Sequence, residues 1–174
     1  LGRHADGIYD YMIEGPTTRW LIEREFLSRY KIAVPSSDYE RFLDKASEGS
    51  DYSKKAMMVA SQRSQIVGDV VVNYQKFASG KQAILFATDV GTASKMQDRF
   101  RDAGITAKLL TANSSDRERL EAMIDYRDKK IQVLLNIDLF DEGLDVPGIE
   151  CVIMARPTKS LGKYLQMCGR GLRK

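Results

Sequence analysis

Residues 132–173 read QVLLNIDLFDEGLDVPGIECVIMARPTKSLGKYLQMCGRGLR. The stretch holds two apolar runs, Gln132 to Leu135 and Cys151 to Ala155, each of strand length and each followed by a polar turn. After the first comes an acidic turn, Asp141-Glu142-Gly143-Leu144-Asp145-Val146-Pro147. After the second comes the link Arg156-Pro157-Thr158-Lys159-Ser160, then a helical pattern over 161–168 that closes in Gln166-x-x-Gly169-Arg170-x-x-Arg173. Arginines three apart at a helix end face the same way, and a glycine beside them lets another backbone come close. A guanidinium is a planar fork of donors that matches phosphate oxygens and keeps its charge when partly desolvated. Arg170 and Arg173 are therefore candidate phosphate ligands.

Towards the amino terminus the same alternation repeats. The spacing predicts strands over 83–87 and 108–110 and helices near 92–103 and 115–127, the first helix with an apolar stripe of Ala93, Met96, Phe100 and Ala103, the second with Leu120, Met123 and Ile124. Before them, Ala56, Ala60, Val67, Val70, Tyr74 and Phe77 recur at helical spacing and predict one long helix after the polar stretch Ala46 to Ser53. Further back, Tyr30 to Val34 reads as a strand, and Thr17 or Thr18 can cap a helix through Trp20, Ile22 and Phe26. Strands alternating with helices of this length call for a three-layer α/β/α domain with a mainly parallel central sheet, whose ligands meet the loops at the carboxyl ends of the strands.

Composition excludes more than it selects. The 174 residues are enough for one domain with a real core, and 43% hydrophobic with 29% charged residues is ordinary for a globular protein. No apolar run approaches the ~18 residues of a membrane helix, so no membrane partner is expected. A net charge of +3 permits a nucleic-acid partner without demanding one. The two cysteines, Cys151 and Cys168, lack metal-ligand spacing, and Cys151 lies in an apolar run, which points to reduced thiols and a cytoplasmic location. Asp138, Asp141, Glu142 and Asp145 put four acids in eight residues. No phosphate cradle accompanies them, so they read as a solvated or capping turn and no metal site is assigned.

A nucleotide-hydrolysing P-loop needs G-x-x-x-x-G-K-[ST], and neither Gly80-Lys81-Gln82 nor Gly162-Lys163-Tyr164 supplies it. The chain starts at Leu1 and stops one residue after Arg173, which leads us to expect a piece of a longer protein.

Glu142-Gly143-Leu144-Asp145-Val146-Pro147 and Gln166-Met167-Cys168-Gly169-Arg170-Gly171-Leu172-Arg173, in that order and about twenty residues apart, resemble motifs V and VI of the superfamily 2 helicases and translocases, in the branch with EGxDxP and QMxGRGLR signatures. Those motifs lie on the second, C-terminal RecA-like domain. The resemblance implies that residues 1–29 are the connection from a preceding ATPase lobe and 30–174 the C-terminal lobe. ATP and Mg²⁺ would be held mainly by that preceding lobe. Arg170 and Arg173 would be arginine fingers on the γ-phosphate, while Glu142, Gly143, Asp145, Gln166 and Gly169 would line or couple the nucleotide site. Ile84 to Thr88 with Gly91-Thr92 resembles motif IV, so Thr88, Gly91 and Thr92 would meet a nucleic-acid backbone. Thr111 and Asn113 in the next loop, with Arg119 nearby, and Asn136, standing where relatives carry a contacting threonine, extend that surface. The implied partners are DNA or RNA, with DNA favoured, and the protein's own N-terminal lobe. Two other readings stand beside a helicase: a non-catalytic RecA-like module that binds nucleic acid or scaffolds a complex, and the motor of a restriction or remodelling enzyme.

Overall fold

The computed structural model describes residues 14–43, 47–48, 51–137, 146 and 148–173. In chain order the elements are α1 (Thr18–Glu23), a 3-10 turn (Tyr39–Phe42), the strands β1 (Ser47–Glu48) and β2 (Asp51–Tyr52), α2 (Lys54–Arg63), α3 (Ile66–Ala78), β3 (Ala83–Phe86), α4 (Val90–Asp102), β4 (Ala107–Leu110), α5 (Asp116–Arg127), β5 (Val133–Asn136), β6 (Cys151–Met154) and α6 (Leu161–Arg170). β1 and β2 form a small antiparallel hairpin. The other four strands make a wholly parallel sheet in the order β4-β5-β3-β6, in which Phe86 pairs with both Asn136 and Met154 and Leu110 pairs with Asn136.

The inner strands β3 and β5 are apolar almost throughout because both of their faces are covered. On one side Ala83, Leu85, Val133 and Leu135 pack with Val70, Val71 and Tyr74 of α3 and Ala93, Met96 and Phe100 of α4. On the other, Ile84, Phe86 and Leu134 pack with Ala122 and Tyr126 of α5 and Met167 of α6. This is the three-layer α/β/α arrangement that the strand-helix alternation requires. Helix starts are set by local chemistry: Ser115 and Glu118 form a reciprocal capping box on α5, and Asp89 caps α4. Among the described residues no helix is long and apolar enough to cross a membrane.

Four expectations are corrected. The single long helix over 56–77 is two helices, because Ser64 is extended (φ −88°, ψ 167°) and the Asp38 carboxylate takes the Gln65 amide at 3.0 Å, an N–H that a continuous helix would use itself. Tyr30 to Val34 has strand-like residues but is not a strand; Tyr30, Ile32 and Val34 are exposed, and no described strand pairs with them. The buried stripe of α5 runs through Ala122 and Tyr126, leaving Leu120 and Ile124 exposed, because the tyrosine ring and not the leucine faces the sheet. Ala103 falls outside the α4 stripe: it follows the last helical residue and is exposed.

Candidate functional site

The helix that ends in Arg170 is held against the sheet at two points. Met167 is buried against the sheet, and at the C-terminal end Gly171 sits so close to β6 that a Cβ there would lie 2.7 Å from Val152 Cγ2. α6 therefore runs back along β6, with its first residues near the carboxyl end of that strand and its last near the amino end. Gln166 and Arg170, four apart, share one face; Gln166 is exposed and Arg170 half-buried. Arg173 lies beyond the last helical turn and is exposed. Its backbone is held from outside the helix: the Ser28 amide donates to Leu172 O at 2.9 Å, and Ser28 Oγ donates to Arg173 O at 3.4 Å.

The fold's close approach of backbone is at Gly171, whereas nothing lies within 4 Å of a Cβ built on Gly169. Arg170 closes, and Arg173 follows, the end of α6 that packs near the amino end of β6, away from the loops at the carboxyl ends of β3, β4 and β6.

Those loops hold the other candidates. After β3, the Asp89 carboxylate accepts from Thr92 N (2.8 Å), Thr92 Oγ1 (2.7 Å) and Thr88 Oγ1 (2.9 Å). Thr88 Oγ1 is also 2.8 Å from Ser61 Oγ, which in turn lies 3.0 Å from the Tyr39 hydroxyl. Burial pushes the Tyr39 phenol up, and its hydrogen bonds to Ser61 and Thr88 pull it partly back. The hydroxyls of Thr88 and Thr92 are thus turned inward, and Thr92 is buried; what faces outward here is the first turn of α4, the Val90 side chain and the Gly91 backbone. After β4, Thr111 and Ser114 close a tight turn that leaves Asn113 exposed, and Arg119 braces it through Nη2 to Ala112 O at 3.0 Å.

Asn136, at the end of β5, is fully buried. Its Nδ2 donates to Leu85 O at 3.0 Å across the strands, and its Oδ1 has no partner. A side chain so placed presents no exposed surface, unlike the outward contact implied by the resemblance. Glu142, Gly143 and Asp145, the motif V candidates, lie outside the described residues. Among the described residues no group of three or more His, Cys, Asp or Glu could hold a metal ion. Both cysteines are free and half-buried, and burial raises the Cys151 thiol.

A further polar cluster lies beside α6, and nothing in the local sequence announces it. The Asp51 carboxylate accepts from Lys159 N (2.9 Å) and Tyr52 N (2.9 Å) through Oδ1, and from Thr158 Oγ1 (3.0 Å) and Lys163 Nζ (3.1 Å) through Oδ2. Lys159 Nζ stands 4.5 Å over the Tyr52 ring. Desolvation works against the charge on Asp51, but these donors outweigh it and hold the carboxyl at about 2. A folded-state value below the unfolded one stabilises the fold above the unfolded value, and that contribution disappears as pH falls through the folded one. Wild type should therefore exceed Asp51→Asn by about 2 kcal/mol in unfolding free energy at neutral pH. The gap should stay constant down to about pH 4 and close near pH 2, which urea titrations at several pH values will check.

The sequence model of the family described as "Helicase conserved C-terminal domain" matches residues 63–174. The chain belongs to this helicase C-terminal domain family. A 51.5 kDa protein of a Lactococcus phage is 41% identical over 166 residues, which is 95% of this chain and 36% of the phage protein. A Saccharomyces cerevisiae relative that carries the provisional name ATP-dependent helicase IRC3 is 29% identical over 158 residues, 89% of this chain and 22% of the relative. The chain thus spans about a third or less of the length of these relatives. The fold is also that of the Escherichia coli DEAD-box protein SrmB, solved bound to a regulator of ribonuclease activity (TM-score 0.54, 22% identity, 61% of this chain and 62% of that one). A DEAD-box protein from Methanococcus jannaschii is equally similar (TM-score 0.54, 20% identity, 61% of this chain and 30% of that one).

The helicase C-terminal domain match begins at residue 63, yet the folded body begins earlier. Tyr39, Met57, Ala60 and Ser61 are all buried, and Asp51 and Ser28 reach into the matched region to bond its link and its last residues. Of the residues that organise this lobe, Asp89 with Thr92 is legible as a capping pair. Asp51, Ser61, Tyr39 and Ser28 are not, because the tertiary partners they bond lie 18 to 145 residues away.

Proposed function

We propose that this lobe forms half of an ATP site that is completed by a P-loop lobe of the same protein, and that the pair moves along nucleic acid as an ATP-dependent helicase or translocase. In this reading residues 30–174 are the lobe and 1–29 the connection to its companion. ATP is the substrate and Mg²⁺ its counter-ion, both held mainly by the companion lobe. Arg170 and Arg173 place guanidiniums against the γ-phosphoryl group, where negative charge grows as the bond to the leaving oxygen breaks. Gln166 and Gly169 line the same side of α6. Glu142, Gly143 and Asp145 are assigned to the nucleotide from the sequence pattern alone. The outward-facing backbone at Gly91, with Asn113 in the adjoining loop, is the surface offered to a nucleic-acid strand, for which DNA is the favoured candidate.

The observation that best supports the reading is the anchoring of α6. Gly171 packed on Val152, and Ser28 bonded to the Leu172 and Arg173 carbonyls, fix the backbone on which both arginines stand. Preorganised charge of this kind stabilises a transition state without reorganising at the moment of reaction. The purified 174-residue chain is expected to release no phosphate from ATP above background, with or without DNA or RNA, and to gain turnover when joined to a P-loop lobe. Steady phosphate release by the chain alone, abolished by Arg173→Lys, would remove the half-site reading. Normal nucleic-acid binding without turnover by the joined lobes would favour a non-catalytic module.

A further inference from the structure

α2 lies between two loops that the family match leaves it no part in positioning. At its start, β2 leads through Ser53, whose Oγ caps the helix by accepting from Ala56 N at 3.1 Å. Asp51, three residues before Lys54, grips Thr158, Lys159 and Lys163, on both sides of Ser160, the residue that caps α6. Near its end, Ser61 Oγ lies 2.8 Å from Thr88 Oγ1, one residue from the Asp89 carboxylate that caps α4. A carboxylate only accepts, so Thr88 and Thr92 donate to Asp89. The Met57 carbonyl lies 2.9 Å from both Ser61 Oγ and the Tyr39 hydroxyl. With Tyr39 donating to that carbonyl, Ser61 keeps its single proton for Thr88, whose own proton goes to Asp89, and every hydroxyl in the row has an acceptor.

The two grips face neighbouring loops. β3 and β6 are adjacent parallel strands with Phe86 opposite Met154, so the β3–α4 loop and the β6–α6 link leave the sheet side by side at its carboxyl edge. Ten helical residues span about 15 Å, enough to reach from the hairpin to the β3–α4 loop. Met57, Ala60 and Ser61 are buried along one side, so α2 does not slide without breaking its packing.

We propose that α2 is a strut that ties the β6–α6 link to the β3–α4 loop, with Asp51 and Ser61 as the positioning residues at its two ends. Movement of the helix that carries Gln166 and Arg170 then reaches the β3–α4 loop and the first turn of α4, which carries Gly91, and the reverse. The use of this tie to couple ATP turnover to nucleic acid rests on the function proposed above; the tie itself does not.

Amide hydrogen exchange on the 174-residue chain tests the tie. Ser61→Ala should speed exchange of the Lys159 amide, which donates to Asp51, and Asp51→Asn should speed exchange of the Thr92 amide, which donates to Asp89. Each change should be about 2- to 30-fold, the range of coupling carried by connected networks. Tyr74→Phe removes an equally buried hydroxyl, bonded to Lys81 O, and should leave both amides unchanged. Thr158→Val loosens the grip from the α6 side if Asp51→Asn lowers stability too far for a clean comparison. Exchange that rises only at the mutated end, or rises equally in Tyr74→Phe, overturns the strut. In the two-lobed protein, Asp51→Asn and Ser61→Ala should each lower nucleic-acid-stimulated turnover, and the double variant should do no worse than the worse single one, because both cut the same link. Additive losses overturn the coupling role. If both Arg170→Lys and Arg173→Lys keep normal turnover while exchange remains reciprocal, the half-site reading fails and the strut stands.

Discussion

In the two-lobed protein, Arg170→Lys and Arg173→Lys should each lower nucleic-acid-stimulated kcat at least ~100-fold, nearly as much as the alanine variants. Arginine fingers in related phosphoryl transfer contribute about 10³ to 10⁵ in rate, and their effect comes from a fork of donors that meets two oxygens at once. A lysine ammonium keeps the charge but is a strongly hydrated point, so it does not reproduce that geometry. Because the interaction strengthens as charge develops in the transition state, KM for ATP should change far less than kcat. Nucleic-acid affinity should also persist, since backbone contacts elsewhere carry it. ATPase assays titrated with DNA and with RNA, wild type against each variant, read all three quantities. Near-normal kcat in both lysine variants would end the arginine-finger assignment.

The second large effect is expected at a residue with no side chain. Gly171→Val places a branched carbon where even a single Cβ would stand 2.7 Å from Val152 Cγ2. Valine on the strand has no soft end to swing away, so the C-terminal end of α6 must lift from β6. We expect a loss of about 3 kcal/mol in stability, the upper end for overpacking a tight contact, and a fall in stimulated kcat beyond what the lower stability explains, because Arg170 and Arg173 flank the displaced turn. Val152→Ala in the same chain should restore part of both. Gly169→Ala, where a Cβ meets nothing within 4 Å of this lobe, should leave stability near wild type. If Gly171→Val melts as wild type does, α6 is not held in the way described.

The periodicities that follow from a buried parallel sheet were readable in the sequence. Ala83 to Phe86 and Val133 to Asn136 are short apolar runs because both faces are covered, and such runs declare themselves without a structure. The helix that precedes the arginines was readable too, although it runs on to Arg170 and leaves Arg173 beyond its last turn. Asn136 reads as a loop contact because it is a polar residue at a strand end, yet it stands between Phe86 and Leu110 on the adjacent strands and has no exposed surface. Thr88 and Thr92 were identified as surface donors, but Asp89 between them captures both hydroxyls. The break between α2 and α3 depends on Asp38, far back in the chain, and the grip of Asp51 on Thr158 spans 107 residues. Contacts of that separation leave no trace in local spacing.

The burial of Tyr39, Met57 and Ala60 also bears on how this lobe is handled at the bench. A fragment begun at residue 63, where the family match starts, would strip the β3–α4 side of the apolar side chains that cover it and leave Thr88 without Ser61. Bare apolar surface of that kind invites aggregation. Gene fragments for expression, crystallisation or screening should therefore start upstream of Ser28, so that the anchor of the Arg173 backbone, the 3-10 turn, the hairpin and α2 travel with the helices and loops they contact.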